Sequence, residues 1–188
     1  MPDAVTALPD AEQPGPEIPF PAWTTAAFHG KMAQDRGNIR ERKRRMNILV
    51  SACLLGVCCR YNGTGEENER VKRLGERHRL IPVCPEIYGG LATPRPPAER
   101  VGERVLTKDG TDVTAQYEKG AKEALRLARY FGCTAAVLKS RSPSCGKGRI
   151  HDGTFSDGMT DGSGVAAELL EACGIRVLDE TDERLETL

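Results

Sequence analysis

Residues 47–55 read NILVSACLL, which is a continuous apolar run of strand length. Such a run predicts a strand buried on both faces, as in a parallel sheet. Three further segments predict strands, and segments with helical periodicity lie between them. The predicted strands follow at 78–86, 134–140 and 175–180, and the predicted helices at 68–77, 112–132 and 161–174. Because strands alternate with helices, the sequence predicts an α/β domain with a parallel sheet.

The overall charge is balanced, with 27 basic and 27 acidic residues among 188. The chain as a whole is therefore not drawn to nucleic acid or to an anionic membrane surface. No apolar segment approaches the roughly 18 residues that a membrane span requires. The N-terminus also lacks the charged start and apolar core of a secretory signal. We therefore expect a cytoplasmic protein with no membrane partner.

Residues 1–45 differ in composition from residues 46–188. They contain six prolines, few periodic apolar positions and the basic run RERKRR at 40–45. Such a segment buries too little apolar surface to offset its ordering entropy, so we expect it to be disordered or loosely packed. Residues 46–188 are expected to form one α/β domain. The basic run makes RNA a further candidate partner, because clustered Lys and Arg displace phosphate counterions.

Seven cysteines are many for a cytoplasmic chain, and they favour metal ligation or thiol chemistry over disulfides. Cys53 ends the first predicted strand, Cys84 ends the second, and Cys145 lies just past the third. Ligands bind outside the carboxyl ends of parallel strands, so these three thiols should converge on one crevice. Three thiolates can hold a zinc ion, or three irons of a 4Fe–4S cluster. From the spacing, cluster, zinc and unligated thiols remain three alternatives.

Residues 47–180 resemble the thiouracil desulfurase family. The resemblance is carried, in order, by VSACLLG, CRYNG, PVCPEIYGGLATPRPPAE, LKSRSPSCGKG, IHDGTF and GVAAELL. It implies a Rossmann-like parallel sheet with helices on both faces, and a 4Fe–4S cluster with one open iron held by Cys53, Cys84 and Cys145. It also implies a non-redox desulfurase, which converts C=S to C=O in a thiolated pyrimidine such as 2-thiouracil and releases sulfide.

The reaction also needs groups that move protons and hold the ring. Glu86, two residues beyond Cys84, is a candidate acid–base residue, although it could equally be a helix-start acid. Ser142 and Ser144 flank Pro143 beside Cys145. We expect Ser144 to be the catalytic hydroxyl and Ser142 to bind substrate, although serines before a turn are also ordinary caps.

Two further residues are candidates for substrate binding. Arg95 lies in the rigid segment TPRPPAE and could present a fixed guanidinium to a carbonyl or an anion. Tyr61 in RYNG could stack on the base. Cys58 and Cys59 lie close to the first ligand, where a sulfur-accepting or redox role is an alternative to packing. Cys133 and Cys173 are expected to pack in the interior.

Two other functions remain open at this point. One is the same chemistry on thiolated tRNA nucleosides, which the basic run at 40–45 favours. The other is a zinc or iron–sulfur protein that binds or senses without turnover. The sequence leaves the choice between monomer and dimer open.

Overall fold

The computed structural model describes residues 45–188. The predicted disorder of the N-terminal extension, and the proposed contact of residues 40–45 with RNA, fall outside these residues except for Arg45. Both stay predictions. No helix within residues 45–188 is long and apolar enough to cross a membrane.

Four parallel strands form the central sheet. They are β1 (Asn47–Ser51), β2 (Arg79–Val83), β5 (Ala135–Leu138) and β8 (Arg176–Asp179), in the spatial order β2-β1-β5-β8. In the register of the two central strands, Ile48 pairs with Ala135 and Val50 with Val137. Both strands are almost wholly buried. The structure thus confirms the parallel α/β sheet predicted from the sequence.

Helices cover both faces of the sheet. The α-helices are α1 (Glu69–Arg77), α2 (Pro85–Tyr88), α3 (Thr114–Tyr130) and α4 (Val165–Ala172), and a 3₁₀ helix (Glu183–Thr187) lies near the C-terminus. On one face, α3 and α4 pack through small side chains against Leu49 and Ala136. On the other face, Val71 and Leu74 of α1 pack against Ile48 and Val50. Burial of these two apolar layers is the main favourable contribution to folding.

The structure differs from the sequence-based expectation at the end of β1. The run 47–55 does not stay extended, because the strand ends at Ser51 and Ala52–Leu55 form a 3₁₀ turn. The turn is closed by the N–H of Gly56, which donates to the Cys53 carbonyl at 3.1 Å. Cys53 therefore lies in a turn beyond the strand. The prediction that it ends the strand was wrong by two residues.

Two antiparallel hairpins were not predicted at all. The first pairs β3 (Ala98–Val101) with β4 (Arg104–Thr107), and the second pairs β6 (Arg149–His151) with β7 (Met159–Asp161). Their strands are three or four residues long and rich in charged side chains. Both hairpins contribute residues to the cavity described next.

Candidate active site

A cavity of about 510 Å³ opens at the carboxyl edge of the sheet. The segments that follow β1, β2 and β5 form part of its wall, and each brings one of the predicted ligands to it. The three predicted ligands Cys53, Cys84 and Cys145 all line this cavity. This is the edge at which parallel α/β sheets generally bind their ligands.

Cys84 is positioned by the packing of α2 on α3. It is the N-cap residue of α2, and Pro85 follows it at the first helical position. Gly120 of α3 permits the close contact, since a Cβ at Gly120 would lie 1.8 Å from the Pro85 carbonyl oxygen. The same packing fixes Glu86, which is the next residue of α2.

Cys145 is held by the start of α4. The N–H groups of Val165 and Ala166 donate to the carbonyls of Pro143 and Ser144, each at 2.9 Å. Gly164 has no room for a side chain, because a Cβ there would lie 2.3 Å from the Ser144 carbonyl carbon. The turn before Cys145 is therefore held by backbone hydrogen bonds and by the close approach of Gly164 to Ser144.

The thiols of Cys84 and Cys145 are protonated when no metal is bound. Burial raises the pKa of Cys145 to about 12. A hydrogen bond with the Cys59 thiol, together with burial, raises the pKa of Cys84 well above its usual range. Metals bind thiolates, so loading of this site would displace protons from sulfur and use part of the binding energy.

The donor set suits a group larger than a single ion. Within residues 45–188, no three Cys, His, Asp or Glu side chains lie close enough together to hold one metal ion. All seven cysteines are nevertheless free, and four of them line the cavity: Cys59 and the three predicted ligands Cys53, Cys84 and Cys145. Thiolates from separate segments, each binding a different iron, are the donor set of an iron–sulfur cluster. The residues present therefore fit a cluster better than a zinc ion.

Glu86 and Arg95 form an ion pair in the cavity wall. One carboxylate oxygen, Oε2, accepts from Arg95 Nε at 2.9 Å and from Nη2 at 2.6 Å. The side chains are only 15% and 7% exposed. Burial alone would lower the pKa of Arg95, but the charge and hydrogen bonds of Glu86 outweigh burial and raise it. The two bonds from one guanidinium to one carboxylate oxygen are charge-assisted, which makes this contact a strong one.

Arg95 has further partners in the protein. Its Nη1 donates to the Ala92 carbonyl and to Thr93 Oγ1, both at 3.1 Å, and its Nη2 donates to the Cys59 carbonyl at 3.1 Å. The sequence analysis predicted that the Arg95 guanidinium binds the substrate. In the structure it faces the cavity while holding Glu86 and two loops in place.

The two serines lie in different environments. Ser142 lines the cavity, and its Oγ accepts the N–H groups of Ser144 and Cys145 at 3.1 and 3.2 Å. Ser144 is fully buried, and its Oγ has no hydrogen-bond partner at normal distance within residues 45–188. It still lies close enough to the Cys145 thiol to lower the pKa of that thiol, against the larger effect of burial.

Tyr61 lies at the rim of the cavity. Its side chain is 43% exposed, and its backbone carbonyl accepts the N–H of Arg95 at 2.8 Å. The structure thus brings seven of the eight predicted site residues to one cavity. Ser144 is the exception.

Cys59, which the sequence analysis placed close to the first ligand, lines the cavity, and so does Tyr117, for which the sequence predicted no role. Cys59 is 2% exposed, and hydrogen bonding with the Cys53 thiol is the main cause that raises the pKa of Cys59 to about 11. Tyr117 is buried on α3, and burial followed by the charge of Glu86 raises its pKa. The helical apolar periodicity carried no sign that Tyr117 faces a carboxylate.

The remaining cysteines fall into two groups. Cys133 is buried in the core between the sheet and α3, as predicted. Cys173 is exposed at the end of α4, so the prediction that it packs in the interior was wrong. Cys58 is exposed and does not line the cavity.

The fold and the site together define an α/β protein with a cysteine-lined cavity at the carboxyl edge of its sheet. A family model described as 2-thiouracil desulfurase matches residues 48–182. The chain therefore belongs to the 2-thiouracil desulfurase family, which confirms the family, the fold class and the kind of enzyme predicted from the sequence.

Two similar proteins match this chain over nearly the whole of their own length. The uncharacterized protein YbbK of Bacillus subtilis (strain 168) is 42% identical over 145 residues, which are 72% of this chain and 96% of YbbK. A solved structure of the 4Fe–4S-dependent thiouracil desulfidase TudS is 45% identical, with a TM-score of 0.70. That match covers 77% of this chain and 95% of TudS.

Proposed function

We propose that this protein removes sulfur from thiolated pyrimidines such as 2-thiouracil, using a 4Fe–4S cluster held by Cys53, Cys84 and Cys145. The net reaction adds water, converts C=S to C=O and releases hydrogen sulfide, so no oxidant or reductant is consumed. The observation that carries the proposal is the convergence of the three cysteines and Glu86 on one cavity. Family membership and the likeness to the 4Fe–4S-dependent TudS support it.

A bound cluster with three cysteine ligands would supply an open iron, a Lewis acid able to polarise the thiocarbonyl sulfur. Glu86 would take a proton from the attacking water. Its Oε2 is occupied by both hydrogen bonds from Arg95, which leaves Oε1 as the base position, and the Tyr117 hydroxyl is the neighbouring hydrogen-bonding group of this carboxylate. Arg95 holds the carboxylate in a fixed orientation, as a positioned general base requires.

The serines complete the proposed site. Because Ser142 Oγ already accepts two backbone N–H groups, its own hydrogen is free to be donated to a polar edge of the ring. The burial of Ser144 favours a different role from the catalytic one predicted. We propose that its hydroxyl donates to the Cys145 sulfur and stabilises the thiolate that a cluster requires.

Tyr61 would contact the ring at the rim of the cavity, where its side chain is accessible. We place the reaction in the cytoplasm, because seven free cysteines suit a reducing compartment.

The test starts with anaerobic reconstitution with iron and sulfide. We expect iron and acid-labile sulfide near four each per chain, the broad visible absorbance of a thiolate-bound cluster, and release of sulfide and uracil from 2-thiouracil. Cys84→Ala should lose the absorbance and the turnover. Cys173→Ala is the matched control, because Cys173 is exposed and outside the cavity, and it should keep both.

Three outcomes would contradict the proposal. Zinc in place of iron would favour a zinc protein. An intact cluster without sulfide release would favour a sensor. Loss of the cluster in Cys173→Ala but not in Cys84→Ala would show that the ligands are assigned wrongly.

A further inference from the structure

The loop between β6 and β7, residues 152–158, forms part of the cavity wall. Phe155 and Asp157 from this loop line the cavity, and their φ angles are +56° and +61°. Arg141, with a φ of +62°, lines it as well. These three are the only non-glycine residues with positive φ within residues 45–188. Such backbone is strained for a bulky residue and persists where the surrounding structure imposes it.

A buried carboxylate imposes the conformation of this loop. Glu99 of β3 is 8% exposed, and its Oε2 accepts the N–H of Gly153 at 2.8 Å and the N–H of Phe155 at 3.1 Å. Within the loop, Asp152 accepts both the N–H and the hydroxyl of Thr154. The position of Phe155 is therefore fixed from a strand outside its own hairpin.

Packing does not explain why a phenylalanine is held there. Its side chain is only half-buried, and it belongs to none of the three apolar clusters formed by the described residues. The neighbouring wall is polar, with Lys108, Arg141 and Asp157. A phenylalanine ring has no polar atom with which to bond these groups, and in a cavity wall it offers its flat face for stacking on another ring.

We infer that Phe155 is a substrate-binding residue whose ring stacks on the thiolated pyrimidine, and that Glu99 is the positioning residue that holds it there. The inference rests on the proposed function and deepens it, because it assigns the recognition of the base to the β6–β7 loop. Tyr61 is the other aromatic residue of the cavity whose side chain is accessible. Every base has a flat face, so stacking would select for planar rings and tolerate different positions of the sulfur.

Phe155→Ala tests the inference in the reconstituted full chain. From the usual strength of stacking on a base, we expect the KM for 2-thiouracil and the inhibition constant of uracil to rise together by about 5- to 100-fold. The kcat should change less than about threefold, because Phe155 moves no proton. Cluster absorbance and Tm should stay at the parent values. Phe155→Tyr should restore both constants, and Tyr130→Ala, at an 82% exposed tyrosine, is the control that should change neither.

Glu99→Gln tests the positioning role. It should raise the inhibition constant of uracil on its own, but should add little to the Phe155→Ala variant, because both changes remove the same contact. Phe155→Leu serves if Phe155→Ala fails to fold. Unchanged KM and uracil inhibition in Phe155→Ala or Phe155→Leu would overturn the inference, as would full additivity of the Glu99→Gln effect.

Failure of the inference about Phe155 can be distinguished from failure of the proposed function. If the reconstituted parent releases no sulfide, the proposed function fails, and calorimetric binding of uracil still tests Phe155. If the parent turns over and Phe155→Ala matches it in every constant, only the inference about Phe155 fails. A parent that neither turns over nor binds uracil overturns both.

Discussion

Two carboxylates, Glu86 and Glu180, lie near the carboxyl edge of the sheet, and each is paired with a cation. Glu180 follows β8 and is 6% exposed, and its two oxygens are bonded to Lys139 Nζ and to the N–H and hydroxyl of Ser140. Glu86 uses only Oε2 for Arg95 and faces the cavity. Glu180 does not line the cavity.

The difference shows that burial and ion pairing alone do not mark a catalytic carboxylate. Glu180 has no free oxygen with which to accept a proton from water, so it acts as a structural link between β8 and the segment after β5. Glu86 has the same kind of cation but keeps one oxygen available in the cavity. Availability of a lone pair in a substrate-sized space is therefore the criterion, and the two residues provide a matched pair for experiment.

The largest expected effect is that of Glu86→Gln. Gln keeps the shape and an acceptor for Arg95 but cannot take a proton. A positioned acid or base typically contributes about 10²- to 10⁴-fold in rate, so turnover should fall by that factor, or roughly 3 to 5 kcal/mol of barrier. Steady-state sulfide release from 2-thiouracil measures this, and the cluster absorbance and KM should change little.

Parental turnover in Glu86→Gln would make Glu86 structural, like Glu180. The acid–base role would then pass to Ser142 or to water. Equal losses in Glu86→Gln and Glu180→Gln would remove the distinction between the two carboxylates.

A smaller loss is expected from Arg95→Met, which keeps the chain length and removes the charge. Glu86 would keep its titratable group but lose the cation that orients it, so turnover should fall by about 10- to 100-fold, less than when the group itself is removed. Steady-state sulfide release from 2-thiouracil measures this loss.

Arg184→Met removes an exposed Arg from an ion pair outside the cavity and is the matched control. Parental turnover in Arg95→Met would show that Arg95 supports the loops around Cys59 and Ala92 but does not orient Glu86 for the reaction.

The sequence predicted the central sheet because residues such as Leu49 and Val137 stand in continuous apolar runs, where burial on both faces leaves a strong pattern. It predicted three convergent cysteines because the carboxyl ends of parallel strands share one edge. It selected Glu86 and Arg95 separately but not as a pair, because their contact depends on how the loop 89–97 folds back. A contact of this kind leaves no recognisable pattern in the amino-acid sequence.

The two hairpins had no comparable signal. AERV and RVLT, which form β3 and β4, mix charged and apolar residues over only four positions each, too short for a periodicity to stand out. Phe155 was missed for a further reason. Its place in the cavity wall depends on a positive φ that is imposed by Glu99, more than fifty residues earlier in the chain.

The smallest effect on turnover is expected from Glu180→Gln, whose consequence should be for stability. Burial alone would raise the pKa of Glu180, but Lys139 and the two hydrogen bonds from Ser140 outweigh burial and lower it below its ordinary value of 4.5. A carboxyl with a lower pKa in the folded state stabilises the fold at pH values above its unfolded pKa. That contribution is lost as the pH falls through the folded pKa.

At neutral pH, Glu180→Gln should therefore lower the free energy of unfolding by about 1 to 2 kcal/mol, at the low end for a buried pair. The cost stays low because Lys139 keeps a second partner, Glu66, at 3.3 Å. Urea unfolding of parent and variant at a series of pH values measures the difference, which should be constant near neutrality and shrink below about pH 4.5. Turnover should stay within a few-fold of the parent. A difference in stability that does not depend on pH would mean that the shape of the side chain matters there and its charge does not.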